Sequence, residues 1–259
     1  MDSFKIGGFD SAANFIVVES IQIEPLTPKQ STLSLKERDG SIDFSFSNQY
    51  GRLIYDDRII TMSCIFRYNT YEEMSSKISR IYNAIYNNPR GELELSITPG
   101  VKWNATLLNI QKQEKTGNST GRIILQYRVY PYSFSDQEII VDKIISGPET
   151  LTINNPGTAY SNKHLISLIN IRGNTGGIFI EKSDGSFIEC SKVLQDGDNL
   201  TIDFENFEIL VNGDPVKNLE WDGEFFELSS GNQPIEIDFS GTAEMKWYLK
   251  PQYFYSKES

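Results

Sequence analysis

The chain has 259 residues, of which 39% are hydrophobic and 12% aromatic, and its net charge is −11. This length suits one large all-β domain or two ordinary ones, and no segment approaches the ~20 continuous apolar residues of a membrane-spanning helix. Because phosphate binding requires clustered lysine and arginine, the acidic balance predicts no specific nucleic-acid binding, and the apolar pattern predicts no membrane insertion.

The first twenty residues contain neither a basic start nor a long apolar run. This pattern differs from a secretory signal, so we expect the chain to fold in a cytoplasm. Its two cysteines, Cys64 and Cys190, fall far apart in the sequence. In a reducing compartment we expect two buried thiols that pack as small apolar side chains, rather than a disulfide or a zinc site.

The first half of the chain alternates apolar and polar residues with the period of a β-strand. The predicted inward-facing sets are Ile42, Phe44 and Phe46; Ile60, Met62, Cys64 and Phe66; Leu93, Leu95 and Ile97; Trp103, Ala105 and Leu107; and Ile123, Leu125, Tyr127 and Val129. These patterns, with the high aromatic content, predict a mainly β fold.

One segment breaks this alternation and is predicted to be an α-helix over about residues 70–88. Its apolar residues recur at helical spacing: Met74, Ile78, Ile81, Tyr82 and Ile85. Thr70 and Glu73 can form a capping box at its start. Asn87-Asn88-Pro89 ends it, because the residue before a proline avoids the helical conformation. We expect its apolar face to cover one face of the sheet.

A boundary between two domains, residues 1–137 and 138–259, is predicted where the last strand of the first half ends. In the second domain, turn dipeptides that tolerate positive φ recur at the spacing of a sandwich or small barrel: Asp184-Gly185, Asp196-Gly197, Asn212-Gly213 and Asp222-Gly223. Strands are predicted over residues 200–204, 207–211, 225–228, 235–239 and 245–249. Residues 170–177 are predicted to form a mobile loop.

Residues with catalytic or metal-binding chemistry do not form a pattern that predicts a catalytic, cofactor or metal site. The single histidine, His164, opens an apolar run and is predicted to be a structural residue at a strand start. Neither a nucleophile motif nor a phosphate-binding or dinucleotide-binding loop is present. We therefore expect no enzyme activity and no cofactor.

Clustered carboxylates leave two alternatives open. The pairs Asp56-Asp57, Glu72-Glu73 and Asp196-x-Asp198 are predicted to be solvated surface charge, whereas a glycosidase would bring two carboxyls together across a cleft. The run Asp196-Gly197-Asp198-Asn199 has part of a calcium loop but lacks its spaced oxygen ligands, so a plain hairpin is predicted.

With both halves interpreted, the chain resembles the distal tail proteins of long-tailed bacteriophages. In the first half the likeness rests on Arg38-Asp39-Gly40 before the first predicted strand, the strand ending at Phe66, the helix, and Gly91 before the Leu93 strand. In the second half it rests on Asn154-Asn155-Pro156-Gly157-Thr158, the Asn212-Gly213 turn with Val216, Phe225-Phe226-x-Leu228-x-x-Gly231-Asn232-x-x-Ile235-x-Ile237, and the strand with Trp247.

The resemblance implies an N-terminal β domain with one helix that closes a hexameric ring, and a C-terminal galectin-like β-sandwich outside it. It implies a structural component of the virion tail tip, assembled in the bacterial host cytoplasm. The implied partners are the tail tube protein and the tail hub, with its fibre or receptor-binding protein. Phage tail-like bacteriocins use similar parts, so both kinds of particle stay open.

The galectin likeness does not extend to a sugar site. Sugar-binding galectins resemble one another through a His-Asn-Arg cluster and a Trp-Glu-Arg cluster. Here Phe226 follows Trp221-x-x-Glu224 where an arginine is expected, and His164 lacks its partners. We therefore expect a scaffold that does not bind galactosides through such a site. A stand-alone carbohydrate-binding module and a hydrolase remain the alternatives.

Charge is distributed unevenly between the two predicted domains. Residues 1–137 carry 15 basic and 15 acidic side chains, whereas residues 138–259 carry 9 basic and 20 acidic ones. Identical acidic surfaces repel one another, and neutral ones do not. The sequence therefore predicts that the first domain closes the ring and that the second is held outward.

Overall fold

The computed structural model describes residues 2–34, 41–45, 52–115, 119–173 and 176–254. The chain forms two compact units, one of Met1–Ser133 with Phe254–Ser259 and one of Phe134–Tyr253. The second unit is therefore an insertion in the first, a connectivity that the sequence analysis did not predict. The returning Phe254 packs edge-on against Tyr55 and Tyr132, with ring centroids 6.3 and 5.7 Å apart.

The first unit contains an antiparallel sheet with the strand order β2-β1-β7-β8-β9-β6-β3, and a separate ribbon that pairs β4 with β5. The elements are β1 (Phe4–Ile6), β2 (Phe9–Asp10), β3 (Ile16–Ile23), β4 (Thr32–Ser34), β5 (Ser41–Asp43), β6 (Arg58–Arg67), α1 (Tyr71–Asn87), β7 (Arg90–Leu95), β8 (Val101–Lys115) and β9 (Thr120–Val129). Strand β10 (Ser133–Ser135) follows at the junction of the two units.

One face of this sheet carries the core of the first unit. The predicted inward-facing residues of β6 and β9 are all buried, as are Leu93, Leu95, Trp103 and Ala105. Leu107 is only half-buried, beside a bulge in the pairing of β8 with β9. The helical residues Ile78, Ile81 and Ile85 join the same apolar cluster, so the helix covers this face as predicted.

The start of α1 is capped almost as the sequence predicts. Thr70 Oγ1 accepts the Glu73 backbone N–H at 3.2 Å, and a Glu73 carboxylate oxygen accepts the Asn69 N–H at 2.7 Å. The return bond thus reaches one residue before the N-cap, instead of the N-cap itself. Lys77 pairs with Glu73 at 2.8 Å, one turn along the helix.

Two apolar residues predicted to face inward in the first half are exposed. Phe44 is 41% exposed, because the Asp43 carboxylate accepts the Ser45 N–H at 2.8 Å and turns the chain where β5 ends. Ile97 is 44% exposed, because β7 ends at Leu95 and the Thr98 N–H donates back to the Leu95 carbonyl. Phe46 lies outside the described residues.

The second unit is a sandwich of two antiparallel sheets around one apolar core. The sheets have the orders β11-β21-β13-β16-β17-β18 and β12-β20-β14-β15-β19. The strands are β11 (Ile139–Ile145), β12 (Glu149–Asn155), β13 (His164–Arg172), β14 (Ile178–Lys182), β15 (Phe187–Cys190), β16 (Leu200–Asp203), β17 (Glu208–Val211), β18 (Asp214–Pro215), β19 (Trp221–Gly223), β20 (Gly231–Phe239) and β21 (Thr242–Leu249), with a 3-10 turn at Asn218–Glu220. The short strand β22 (Gln252–Tyr253) belongs to neither of these sheets and pairs with β10.

The predicted turn dipeptides differ in what they do. Asp184-Gly185 joins β14 to β15, and Asn212-Gly213 joins β17 to β18 with positive φ at both residues, 54° and 87°. Asp196-Gly197 is a turn but closes no hairpin, because β15 and β16 lie in different sheets. The prediction of a turn at Asp222-Gly223 is wrong, since both residues lie in β19.

Gly223 instead permits a close approach between two strands. A Cβ there would lie 2.3 Å from the Phe187 carbonyl oxygen of the neighbouring strand, so only glycine fits. The predicted strand at 225–228 is also wrong: Leu228 makes a single bridge to Ser161.

The predicted loop over residues 170–177 begins later than expected. Residues 170–172 belong to β13, whose bulge is accommodated by a φ of 56° at Asn170. A bulge adds residues to one strand without ending its pairing, so its polar sequence pattern is easily taken for a loop. Residues 174 and 175 lie outside the described part of the chain.

Candidate functional site

His164 is a core residue of the second unit. It is 2% exposed, its ring stacks on Phe204 with centroids 4.0 Å apart, and its Nε2 lies 3.1 Å from the Phe226 carbonyl oxygen. Burial lowers the pKa of His164 to about 3, so the ring is neutral at physiological pH. A neutral ring that donates to a carbonyl between aromatic neighbours is a structural group, as the sequence predicts.

Both cysteines are buried thiols, which confirms their predicted packing role. Burial raises the pKa of Cys64 to about 12 and also raises that of Cys190. A thiol whose pKa is raised carries almost no thiolate at neutral pH, so neither side chain is an activated nucleophile.

The three carboxylate pairs lie on separate elements. Asp56 and Asp57 precede β6, where Asp57 lies 3.6 Å from Arg128, and Glu72 and Glu73 form the first turn of α1. Asp196 and Asp198 lie before β16 in the second unit. Among the described residues, no group of three or more His, Cys, Asp or Glu side chains is arranged to hold a metal ion.

The Asp196-Asn199 loop uses its carboxylates to hold its own backbone. Asp196 accepts the Gly173 N–H at 2.7 Å, while Asp198 accepts the Gln195 N–H and the Asn212 side-chain amide, each at 2.7 Å. The hydrogen bond from the Gln195 N–H lowers the pKa of Asp198. These hydrogen bonds hold two turns of the sandwich together, so the carboxylates of this loop have a structural role.

Phe226 is a core side chain. It stands where the resemblance to sugar-binding galectins would place an arginine. It is 3% exposed and packs against Phe204, with ring centroids 4.8 Å apart. Trp221 is half-buried and packs against Phe225. The side chain at this position is an apolar ring packed in the core. It therefore cannot donate the paired hydrogen bonds that an arginine guanidinium would make to sugar hydroxyls.

The first unit has an open sheet edge on its surface. Strand β3 lies at the end of the sheet, and on its outer side the Val18 N–H donates to the Asp2 carbonyl at 3.1 Å. Further along, the Glu24 N–H donates inward to Ile59, so alternation turns the N–H groups of Ile21 and Ile23 away from β6. Such an edge is a template for another strand.

Between β3 and β6 the chain forms a two-stranded segment, which we call the arm. Residues 27–29 pair with residues 54–56, and beyond them β4 pairs with β5. Leu33 and Phe44 on this arm are 49% and 41% exposed. A two-stranded ribbon is marginally stable alone in water, so its exposed apolar side chains favour contact with another surface.

An apolar groove lies beside the N-terminal end of β3. Its volume is about 730 Å³, and its lining includes Phe15, Val17, Ile65 and Phe66. Phe15 is 83% exposed and has a φ of 56°, a left-handed conformation that is unfavourable for an aromatic residue. Sequence alternation could not identify this residue, because it belongs to a loop.

The Asp10 carboxylate holds the loop that presents Phe15. It accepts the backbone N–H groups of Ala12 and Ala13 at 2.9 and 3.3 Å, and the Ala13 bond is the main cause of a lowered Asp10 pKa. The Phe15 and Ile16 N–H groups donate back to Ala12 and Ser11. These hydrogen bonds hold the backbone that carries the exposed ring.

Both halves of the chain match models of protein families. Residues 10–126 match the phage tail protein RIFT-related domain, and residues 157–253 match the C-terminal domain of the siphovirus-type tail component. No curated protein matches the chain by sequence.

Solved structures share the fold at low sequence identity. The crystal structure of the Dit protein of phage SPP1, described as a paradigm of the hub adsorption apparatus in phages that infect Gram-positive bacteria, has a TM-score of 0.75 and 11% identity, covering 96% of this chain and 99% of that one. A chain in the activated phage p2 baseplate with strontium has a TM-score of 0.50 and 9% identity, covering 96% and 98%.

Proposed function

We propose, given that the chain belongs to the distal tail protein family of siphovirus-type phages, that it forms a hexameric ring joining the tail tube to the host-facing hub. The chain is a tail and baseplate hub component, and its place is the virion.

The observation that carries the ring proposal is the association surface of the first unit: the open β3 edge, the arm and the groove beside Phe15. All three need a partner to cover apolar side chains or unpaired strand groups. In a closed ring every copy uses one side of its surface to cover the other side of its neighbour, so no edge remains exposed. Ring closure would thus cover the unpaired strand groups and the apolar side chains that the isolated subunit exposes.

Charge supports the first unit as the part that closes the ring. Within the boundaries of the structure, the first unit carries 16 basic and 15 acidic residues, and the second carries 8 basic and 20 acidic ones. Six copies of a unit with net charge +1 can crowd around an axis with little repulsion, whereas six copies with net charge −12 cannot. We therefore infer that the second unit is held outward, apart from its copies.

We infer a protein without catalytic activity, since its cysteines and histidine serve the core and its carboxylate pairs lie apart. Assembly would take place in the host cytoplasm, and the contacts would be with the tail tube protein and with the hub and its fibre or receptor-binding protein. No helix within the described residues is long and apolar enough to cross a membrane.

The test compares two exposed phenylalanines that share a backbone conformation. Phe15 and Phe207 have φ values of 56° and 59° and are 83% and 57% exposed, but only Phe15 lies in the first unit. Asparagine tolerates positive φ. Each Phe→Asn change therefore removes the aromatic side chain and leaves the backbone undisturbed. Sedimentation velocity up to high micromolar concentration and negative-stain electron microscopy of the full-length chain then report the size and symmetry of the particle.

We expect sixfold rings for the parent chain and for Phe207→Asn, and at least a tenfold weaker self-association for Phe15→Asn, about 1.4 kcal/mol. A monomer at high micromolar concentration, or particles of another symmetry, would refute the ring proposal. Rings that persist in Phe15→Asn but disappear in Phe207→Asn would show that the second unit, and not the first, closes the ring.

A further inference from the structure

Strand β11 forms an open edge of the second unit. It is the first strand of its sheet, and β21 pairs with it on one side through seven consecutive residues without a register shift. Alternate residues of such an edge direct their N–H and C=O groups away from the sheet. Within the described residues, the sheet order continues no further on this side.

The composition of β11 leaves this edge poorly protected. Its sequence is Ile-Ile-Val-Asp-Lys-Ile-Ile, and Ile140 and Ile144 are 54% and 68% exposed. Natural edge strands are usually kept from pairing by a bulge, a proline or free charges. Here Lys143 pairs with Glu149, which leaves Asp142, 62% exposed and 3.7 Å from Lys246, as the charge that an incoming strand meets.

A second copy of the chain fits this edge badly. When two copies of β11 pair antiparallel along their whole length, Asp142 of one copy lies opposite Asp142 of the other. Like charges directly opposite each other destabilise a strand pair. The surrounding unit has 8 basic and 20 acidic residues, so two copies also repel each other. Both effects favour a partner of different sequence and opposite charge.

We propose that β11 is a binding site for an extended, basic segment of another protein, which adds to the sheet as an extra strand. The residues of that segment opposite Ile140 and Ile144 are β-branched, and the one opposite Asp142 is lysine or arginine. Main-chain hydrogen bonds hold the segment, and these three positions select it. The site does not depend on ring closure, which involves the first unit.

The probe is a fluorescent, terminally blocked heptapeptide, Thr-Val-Thr-Arg-Thr-Val-Thr, titrated against the full-length chain by anisotropy. Its palindromic sequence places valine opposite Ile140 and Ile144 and arginine opposite Asp142. We expect it to bind about fivefold more tightly than the same peptide with glutamate at the centre. A version N-methylated at two adjacent residues, which blocks both of its edges, should not bind.

Protein variants assign the binding to β11. The double change Ile140→Lys and Ile144→Lys should weaken binding at least tenfold, whereas Val193→Lys, at a 60% exposed position in the same unit, should leave it unchanged. Asp142→Lys should reverse the preference between the arginine and glutamate peptides. Retained melting temperatures show that the exposed substitutions preserve the fold.

Three outcomes would overturn the proposal. The first is that neither peptide binds, and the second is that the double lysine variant binds as tightly as the parent. The third is an oligomer of the parent chain that the double variant loses, because a second copy would then be the occupant. Phe15→Asn, measured in parallel, separates this result from failure of the ring.

Discussion

At the scale of single residues, His164 couples the stability of the second unit to pH. Its pKa is about 3 in the folded chain, where burial disfavours the charged ring, and its ordinary value is 6.5. Between these two values the unfolded state binds one more proton than the folded state. Stability is therefore complete above pH 6.5 and declines as the pH falls toward 3.

We expect the free energy of unfolding of the second unit to decrease by about 1.4 kcal/mol per pH unit below pH 6. Urea denaturation followed by tryptophan fluorescence measures it in a Trp103→Phe background, where both remaining tryptophans lie in the second unit. His164→Gln keeps a side-chain donor near the Phe226 carbonyl but does not titrate, so its profile should be flat from pH 6.5 to 5. An equally steep profile in His164→Gln would show that another group is responsible.

Arg58 organises the first unit around a buried charge. It is 1% exposed, and its guanidinium donates to the carbonyl oxygens of Glu24 at 2.7 Å, Pro131 at 3.3 Å and Phe254 at 2.8 Å. It also lies over Trp103, 5.2 Å from the ring centroid. One planar side chain thus joins three distant segments, including the returning end of the chain, which a lysine cannot do.

We expect Arg58→Met to destabilise the first unit by about 3 kcal/mol, because it leaves three carbonyl groups without this donor. The matched control is Arg128→Met, whose side chain is 53% exposed and 3.6 Å from Asp57, and which should cost less than about 1 kcal/mol. Thermal denaturation by calorimetry compares them. Equal losses of stability in the two variants would mean that the buried Arg58 guanidinium is no more important than a surface ion pair.

At the scale of elements, α1 is the cover of the first sheet. Ile78, Ile81 and Ile85 are buried on the sheet, and their spacing gives the helix one apolar stripe. Fully burying each such side chain is worth about 1.5–3 kcal/mol. The stripe thus supplies a stabilisation comparable with that of a whole small domain.

We expect Ile81→Asp to unfold the first unit, since an unpaired carboxylate would replace a buried side chain in the core. Ser79→Asp introduces the same charge at an exposed position of the same helix and should shift the melting temperature by only a few degrees. Circular dichroism and solubility report both. A soluble Ile81→Asp chain with an unchanged melting temperature would contradict this packing.

At the scale of the whole molecule, the second unit is an insertion between Ser133 and Phe254. The return of Phe254 to Tyr55, Tyr132 and Arg58 lies within the first unit. A first unit cut at residue 137 would therefore lose part of its own packing. We therefore expect its independent folding to require both chain segments.

We expect a short Gly-Ser linker in place of Phe134–Tyr253 to leave a folded first unit that still self-associates, with little dependence on salt. The reason is its net charge of +1, compared with −12 for the part removed. Sedimentation at low and high salt measures this, with Phe15→Asn in the same background as the control. A folded but monomeric product would assign ring closure to the inserted unit.

The sequence by itself determined the class of the fold, the helix and much of the cores. Period-two alternation identified the inward faces of β6 and β9, because one buried face forces that pattern wherever a strand is long. Helical spacing with a capping residue identified α1 to within a residue at its C-terminal end. Asn212-Gly213 identified a hairpin, because positive φ at two successive positions strongly favours these residues.

The exposure of Phe44 and Ile97 became visible only in the structure, and tertiary contacts decided the place of Gly223 and the return of Phe254. Short strands end where a local hydrogen bond turns the chain, so an apolar residue one step further faces water despite its pattern. Gly223 depends on an approach to Phe187, 36 residues earlier in the chain. Contacts between residues so distant in sequence leave no local periodicity, so only the folded chain reveals which segments meet.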